Sequence, residues 1–154
     1  MSKVIANLRT VGIISHGGAG KTSLAEAMLF TTGSSKRLGK VDDGTSSMDY
    51  DPEEISRQIT LSSSFSTFAW QNSSVTIIDT PGDFNFLVDT QTCLHGADGA
   101  VVVIDAIDGV KVQTEKVWEF ADELDLPRLI AINKMDRERA DFFKVANEIK
   151  EIFG

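Results

Sequence analysis

Thr10-Val11-Gly12-Ile13-Ile14-Ser15-His16-Gly17-Gly18-Ala19-Gly20-Lys21-Thr22 joins a short apolar run to a glycine-rich turn that ends in a lysine and a threonine. The run Thr10 to Ser15 has the length and composition of a strand buried on both faces. Beyond the turn, Leu24, Ala27 and Met28 follow the i, i+3, i+4 spacing of a helix with one apolar stripe. A glycine-rich turn between a buried strand and a helix is a phosphate-binding P-loop, here with Ser15 where the motif has its first glycine. Its glycines let backbone N–H groups surround phosphate oxygens, and the helix N-terminus adds the positive end of its dipole. Lys21 is placed to reach the β- and γ-phosphates, and the Thr22 hydroxyl to ligate Mg²⁺. Ser15, His16, Gly17, Gly18, Ala19, Gly20, Lys21 and Thr22 thus form one nucleotide-binding turn.

Three further runs of the same kind follow: Val75 to Asp79, Ala100 to Asp105 and Leu129 to Asn133. Helical spacing lies between and after them, in Val117, Phe120, Ala121 and Leu124, and in Phe142, Val145, Ala146, Ile149 and Phe153. A weaker helix is expected over Phe86 to Leu94. Ser63 to Trp70 reads as a strand that pairs with Val75–Asp79 as a hairpin across the polar break Gln71 to Ser73. Alternating strands and helices give an α/β fold, a mostly parallel sheet with helices on both faces. Ligands of such sheets bind beyond the carboxyl ends of the strands. The segment from Thr32 to Gln58 is polar, with few apolar residues to bury. A loop of that length is either functional or disordered, and from about Lys36 to Gln58 poor order or a conformation other than the triphosphate-bound one is expected without that ligand.

Two of the later runs end in motifs. Asp79-Thr80-Pro81-Gly82 offers a strand-end carboxylate that can hold Mg²⁺ through water, and a Gly82 N–H free to meet a γ-phosphate. Alone, an aspartate before a turn is as readily a helix cap; beyond a P-loop it reads as functional. Asn133-Lys134-Met135-Asp136 ends the last run. A carboxylate at Asp136 accepts two hydrogen bonds from the N1–H and N2–H edge of guanine, which adenine does not offer. The Lys134 stem can lie on the purine ring. Isolated, this motif is weak, because polar turns often contain Asn and Asp. Three motifs in the required order, each at a strand end, point to a guanine nucleotide.

The chain of 154 residues has the size of one domain, with 42% hydrophobic residues and a formal net charge of −8. The acidic balance argues against a surface that is largely a nucleic-acid patch. A single cysteine, Cys93, excludes an intramolecular disulfide and reads as a core thiol. Neither a signal peptide nor a membrane span is legible, so a cytoplasmic, monomeric domain without a membrane or disulfide partner is expected.

The three motifs, with Leu29-Phe30-Thr31-Thr32-Gly33, Asp43-Gly44-Thr45-Ser46-Ser47-Met48-Asp49-Tyr50 and Ala97-Asp98-Gly99-Ala100, resemble the translation GTPases, and within them elongation factor G. Bacterial release factor three is the nearest competitor, and these last segments fit it less well. The resemblance covers almost the whole chain. It implies a Ras-like G domain of the P-loop NTPase class over residues 1–154, with GTP as substrate, GDP as product and the ribosome as partner of the parent protein. It also implies that the family's last strand, its Ser-Ala motif beside guanine and its ribosome-engaging domains lie outside these residues. The polar loop would be switch I. Arg57-Gln58-Ile59-Thr60 would match the family's Arg-Gly-Ile-Thr, with Thr60 joining Thr22 and Asp79 at the metal.

The chain departs from the family at three places. Gln58 stands where the family has glycine. Gly18 stands where it has an aspartate that helps hold a monovalent cation. Asp83 stands where it has a histidine that positions the attacking water. An aspartate there opposes the charge of a triphosphate, so Asp83 either turns outward into solvent or is protonated when turned in. The catalytic set that follows is Lys21 and Gly82, with Asp83 as the position in question. A nucleotide switch with negligible hydrolysis is the competing expectation.

Overall fold

A computed structural model describes residues 7–154. Five strands form one sheet in the order β2-β3-β1-β4-β5. They are β1 (Leu8–Ile14), β2 (Ser64–Trp70), β3 (Ser73–Asp79), β4 (Gly99–Asp105) and β5 (Arg128–Asn133). All neighbours run parallel except β2, which pairs antiparallel with β3. The expected hairpin is present, but β3 starts at Ser73. The turn is therefore only Gln71-Asn72, with Gln71 taking the positive φ of 50° that closes it.

Strand register assembles the site. Ile13 lies opposite Asp79, Ile14 opposite Val102, and Asp105 opposite Asn133. The ends of β1, β3, β4 and β5 therefore share one rim. β1 has β3 on one side and β4 on the other, so the connection leaving β1 opens into the crevice where the strand order reverses.

The side-chain alternation of strands separates two cores. Ile14, Val102 and Ile104 point to one face. There they meet α3 (Leu87–Leu94), α4 (Val112–Glu123) and α5 (Phe142–Phe153) through Leu94, Val117, Phe120 and Val145. Trp118 and Phe153 stack at 4.1 Å and fasten α5 to α4. Ile13, Val101, Val103 and Ile77 point to the other face, against Ala25 and Leu29 of α1 (Lys21–Thr31). Each such aliphatic side chain, fully buried, contributes about 1.5–3 kcal/mol.

Helix α1 packs more than the expected stripe against the sheet side. Its buried side is Lys21, Thr22, Ala25, Glu26 and Leu29. The stripe Leu24, Ala27 and Met28 is half-buried, with Leu24 and Met28 packed against the same core, and it walls an apolar trough of about 470 Å³ with Val11, Phe68, Trp70 and Val75. Two charged residues on the inner side of a helix disguise its period, because the site and not the core needs them there.

The polar loop also differs from expectation. It carries a short helix, α2 (Pro52–Arg57), begun by a capping box in which Asp51 accepts from Glu53 N and Glu54 reaches back to the Asp51 N–H. Met48 is buried in the core beside α1. The loop is held by hydrogen bonds to carboxylates more than by apolar burial, a form of order that hydrophobicity does not report. Among the described residues no helix is long and apolar enough to cross a membrane, and Cys93 is a half-buried free thiol.

Candidate nucleotide site

The P-loop wraps the end of β1. Ser15, His16 and Ala19 are buried, Gly17 and Gly18 are exposed, and Gly18 and Gly20 take φ of 80° and 96°. The Lys21 ammonium is almost fully buried and donates to the carbonyls of His16 at 3.0 Å and Ser15 at 3.4 Å. Burial lowers its pKa to about 8, against the pull of Asp79 and Asp49. His16 Nδ1 lies 2.9 Å from Thr114 Oγ1 of α4. That hydroxyl already accepts from Lys111 N, so it has its hydrogen free for the imidazole. Burial, then the charges of Lys111 and Lys21, lower the His16 pKa to about 4 and keep the ring neutral. His16 thus ties the turn to α4, and its other nitrogen, Nε2, is buried without a partner.

The end of β3 abuts this turn. At Gly82 a side chain would strike Lys21 Nζ, Gly17 N and the His16 carbonyl carbon, so only glycine lets the two loops touch. The Thr80 hydroxyl donates to the Ile13 carbonyl at 2.8 Å and Thr90 donates to the Pro81 carbonyl at 2.9 Å. Thr80 and Pro81 are therefore buried frame, not cavity wall. Asp79 is fully buried and neither of its oxygens has a hydrogen-bond partner. Burial raises its pKa to about 7, against the Thr22 hydroxyl and the Lys21 charge.

Thr60 comes to the same place from the loop. Its hydroxyl lies 3.2 Å from the Thr22 hydroxyl and donates to Asp49 at 3.0 Å. Two hydroxyls beside an orphaned buried carboxylate form a hard oxygen donor set, which fits Mg²⁺. The cavity they border has a volume of about 340 Å³ and is lined by Gly17, Gly18, Gly20, Lys21, Thr22, Gln58, Thr60, Gly82, Asp83, Lys134 and Arg137, among others. The larger trough on the α1 face has no polar group suited to a phosphate.

Asp83 lies on the cavity wall, but its Oδ1 accepts from Asn85 N at 2.9 Å and Asn85 Nδ2 at 2.8 Å, capping the short turn Phe84–Phe86. The side chain is half-buried and engaged with Asn85 at that wall. At the β5 end, Asn133 donates to the Ala19 carbonyl at 2.9 Å and so binds the third motif to the P-loop. Lys134, in a left-handed conformation with φ 62°, pairs with Asp105 at 2.7 Å. Met135 and Asp136 are exposed, and neither lines the cavity.

Four acids that sequence reasoning missed prove structural to the site: Asp105, Glu26, Asp49 and Glu54. Asp105 accepts from Ile107 N and Asp108 N as well as Lys134. Burial would raise its pKa, but these donors outweigh burial and lower it. Its signal was present, an aspartate ending a strand run like Asp79, but with no motif around it.

The family model for the elongation factor Tu GTP binding domain matches residues 6–153. The chain belongs to this family. Within it, the chain is 46% identical over 97% of its length to elongation factor G 2 of Syntrophus aciditrophicus and 45% identical over 96% to elongation factor G 2 of Treponema pallidum. Elongation factor G of Anaplasma marginale is 42% identical over 97%. The chain spans 22% of the length of each of these relatives. A crystal structure of a Thermus thermophilus protein superposes with a TM-score of 0.90 at 34% identity, over 95% of this chain and 22% of that one. The elongation factor Tu GTP-binding family accounts for the motif order and for the mostly parallel sheet.

Proposed function

We propose that this chain binds Mg²⁺·GTP and Mg²⁺·GDP and serves as the GTPase domain, over residues 1–154, of an elongation factor G-like protein that works on the ribosome in the cytoplasm. The observation that carries the reading is the convergence of Lys21, Thr22, Thr60 and the Gly82 backbone on one cavity, although they come from three separate segments, with Asp79 buried behind Lys21 and Thr22. Thr22 and Thr60 would hold the metal directly and Asp79 through water. The ion would supply charge neutralisation across the β- and γ-phosphate oxygens.

The residues act by position. The P-loop amides and Lys21 bind the phosphates, and the Gly82 N–H meets the γ-phosphate. Asn133 holds the base motif against the P-loop, and Asp136 selects guanine. Water attacks the γ-phosphorus in line as the bond to the bridging oxygen breaks, giving GDP and inorganic phosphate. Asp83, engaged with Asn85, leaves the aiming of that water to a group outside the cavity wall. This engagement favours the second reading, a nucleotide switch with little hydrolysis of its own.

Competition of GTP and ATP against labelled GDP tests the binding claim; equal competition by ATP would refute it. Single-turnover hydrolysis by the full-length protein, with and without ribosomes, separates the two readings. Stimulation by ribosomes supports the GTPase, and a rate that stays negligible in both conditions supports the switch.

A further inference from the structure

We propose that Glu26 is a positioning residue for the GTP state, fixing the base of switch I so that Thr60 reaches the metal site. The inference rests on the Mg²⁺·GTP reading of the cavity.

Glu26 lies one helical turn after Thr22 and on the same inner face of α1. Its carboxylate is almost wholly buried. It accepts from Gly39 N at 3.1 Å, Ser46 Oγ at 3.1 Å, Ser47 N at 2.5 Å, Ser47 Oγ at 2.7 Å and Met48 N at 3.3 Å. Every one of these donors belongs to the segment Gly39–Met48. Lifting that segment off would leave a buried charge without donors, which is strongly unfavourable. The base of the loop is therefore bolted to the helix that begins at the phosphates.

Two ties lead from this base to Thr60. Met48 is seated in the core, and the next residue, Asp49, accepts the Thr60 hydroxyl. Gln58 takes the left-handed backbone with φ 55°, a conformation suited to the glycine of the family pattern, while its side chain donates to the Asp42 carbonyl at 3.1 Å. Glu54 closes the far half on itself, accepting from Asp51 N, Leu61 N and Ser62 N. Switch I thus has a fixed half, Gly39–Asp49, and a self-tied half, Asp51–Ser62, that delivers Thr60. Motion between nucleotide states belongs to the second half alone.

The test uses the full-length protein with Glu26→Gln and Ser47→Ala, Mg²⁺, GDP and a non-hydrolysable GTP analogue. Glu26→Gln keeps the shape but puts an amide N–H₂ among donors. We expect it to weaken the GTP analogue about tenfold, and GDP by less than about threefold. The Mg²⁺ concentration that supports binding should rise for the analogue only. Ser47→Ala, on an exposed residue, should shift the same preference by about threefold. In the wild type, amide exchange over Gly39–Met48 should be equally slow with either nucleotide, and over Asp51–Ser62 slower with the analogue. Equal losses for both nucleotides, an unchanged preference in both variants, or nucleotide-dependent exchange over Gly39–Met48 would overturn the proposal. If the wild type binds neither nucleotide, the reading of the cavity fails instead. The anchoring role is then decided by whether Glu26→Gln speeds exchange over Gly39–Met48.

Discussion

The P-loop Ser15–Thr22 and the segment Gly39–Ser62 face one cavity, but they are held by different means. The P-loop is shaped by backbone: left-handed glycines, Lys21 laid across its own carbonyls, and a close touch at Gly82. The longer segment is shaped by side chains, with Glu26 and Glu54 each gathering several N–H groups. Backbone geometry within a few residues is stiff and has one solution. A loop tied by side chains can release one set of ties and keep another, so the half gathered by Glu54 can move while the half held by Glu26 stays in place.

The largest expected effect tests the stiff half. Lys21→Met keeps the stem and removes the ammonium, so GTP and GDP should both bind at least about a hundredfold more weakly. An affinity for both nucleotides within tenfold of wild type, measured by fluorescent-nucleotide titration, would mean that the P-loop does not grip the phosphates through Lys21. The contrast with Glu26, whose loss should separate GTP from GDP, is what distinguishes a grip from a switch.

Asp136→Asn comes next, and it asks whether the exposed base motif is a working part. The lost acceptor pair is worth roughly 2–3 kcal/mol, about 30- to 150-fold for GTP and GDP alike. An affinity that does not change, measured by calorimetry, would leave the guanine assignment unsupported.

A smaller effect concerns how the P-loop is fastened. His16 is buried and neutral with a pKa of about 4, against an ordinary 6.5. Between those values the unfolded chain binds the proton that the folded chain refuses, so this contribution to stability falls as pH falls. From pH 6.5 to 5 it should cost about 1.5 kcal/mol. Urea unfolding of His16→Asn, which keeps an acceptor for Thr114, should lack that part of the pH slope. If both proteins show the same slope, the imidazole is not the titrating group.

The smallest effect is at Asp83. Because its carboxylate caps Asn85, Asp83→Ala should change the basal hydrolysis rate by less than about tenfold, or roughly 1.4 kcal/mol of barrier, with GDP affinity nearly unchanged. A hundredfold loss of single-turnover rate at constant affinity would make Asp83 a water-orienting group after all.

The legible parts of this protein were those whose physics is local. The P-loop, the Asp79 turn and the Asn133 turn each fit within a few residues at a strand end, and the structure sets all three on one rim. Even the short helix Pro52–Arg57 carried its sign in Asp51, Pro52 and Glu54, an N-cap, an N1 proline and a capping-box acid. Its polar surroundings concealed it.

Sequence by itself determined the strand order of motifs, the glycines where backbone must come close, and the family. Tertiary structure alone decided which acids matter. Glu26 and Asp49 look in sequence like the solvated acids that fill any acidic surface, and Asp105 ends a strand run with no motif around it. They are structural to the site because their partners lie elsewhere along the chain: Gly39 to Met48 for Glu26, Thr60 for Asp49 and Lys134 for Asp105. A buried carboxylate is stable only with donors around it. Where those donors come from is set by the fold, since residue type and spacing carry no record of contacts made across tens of residues.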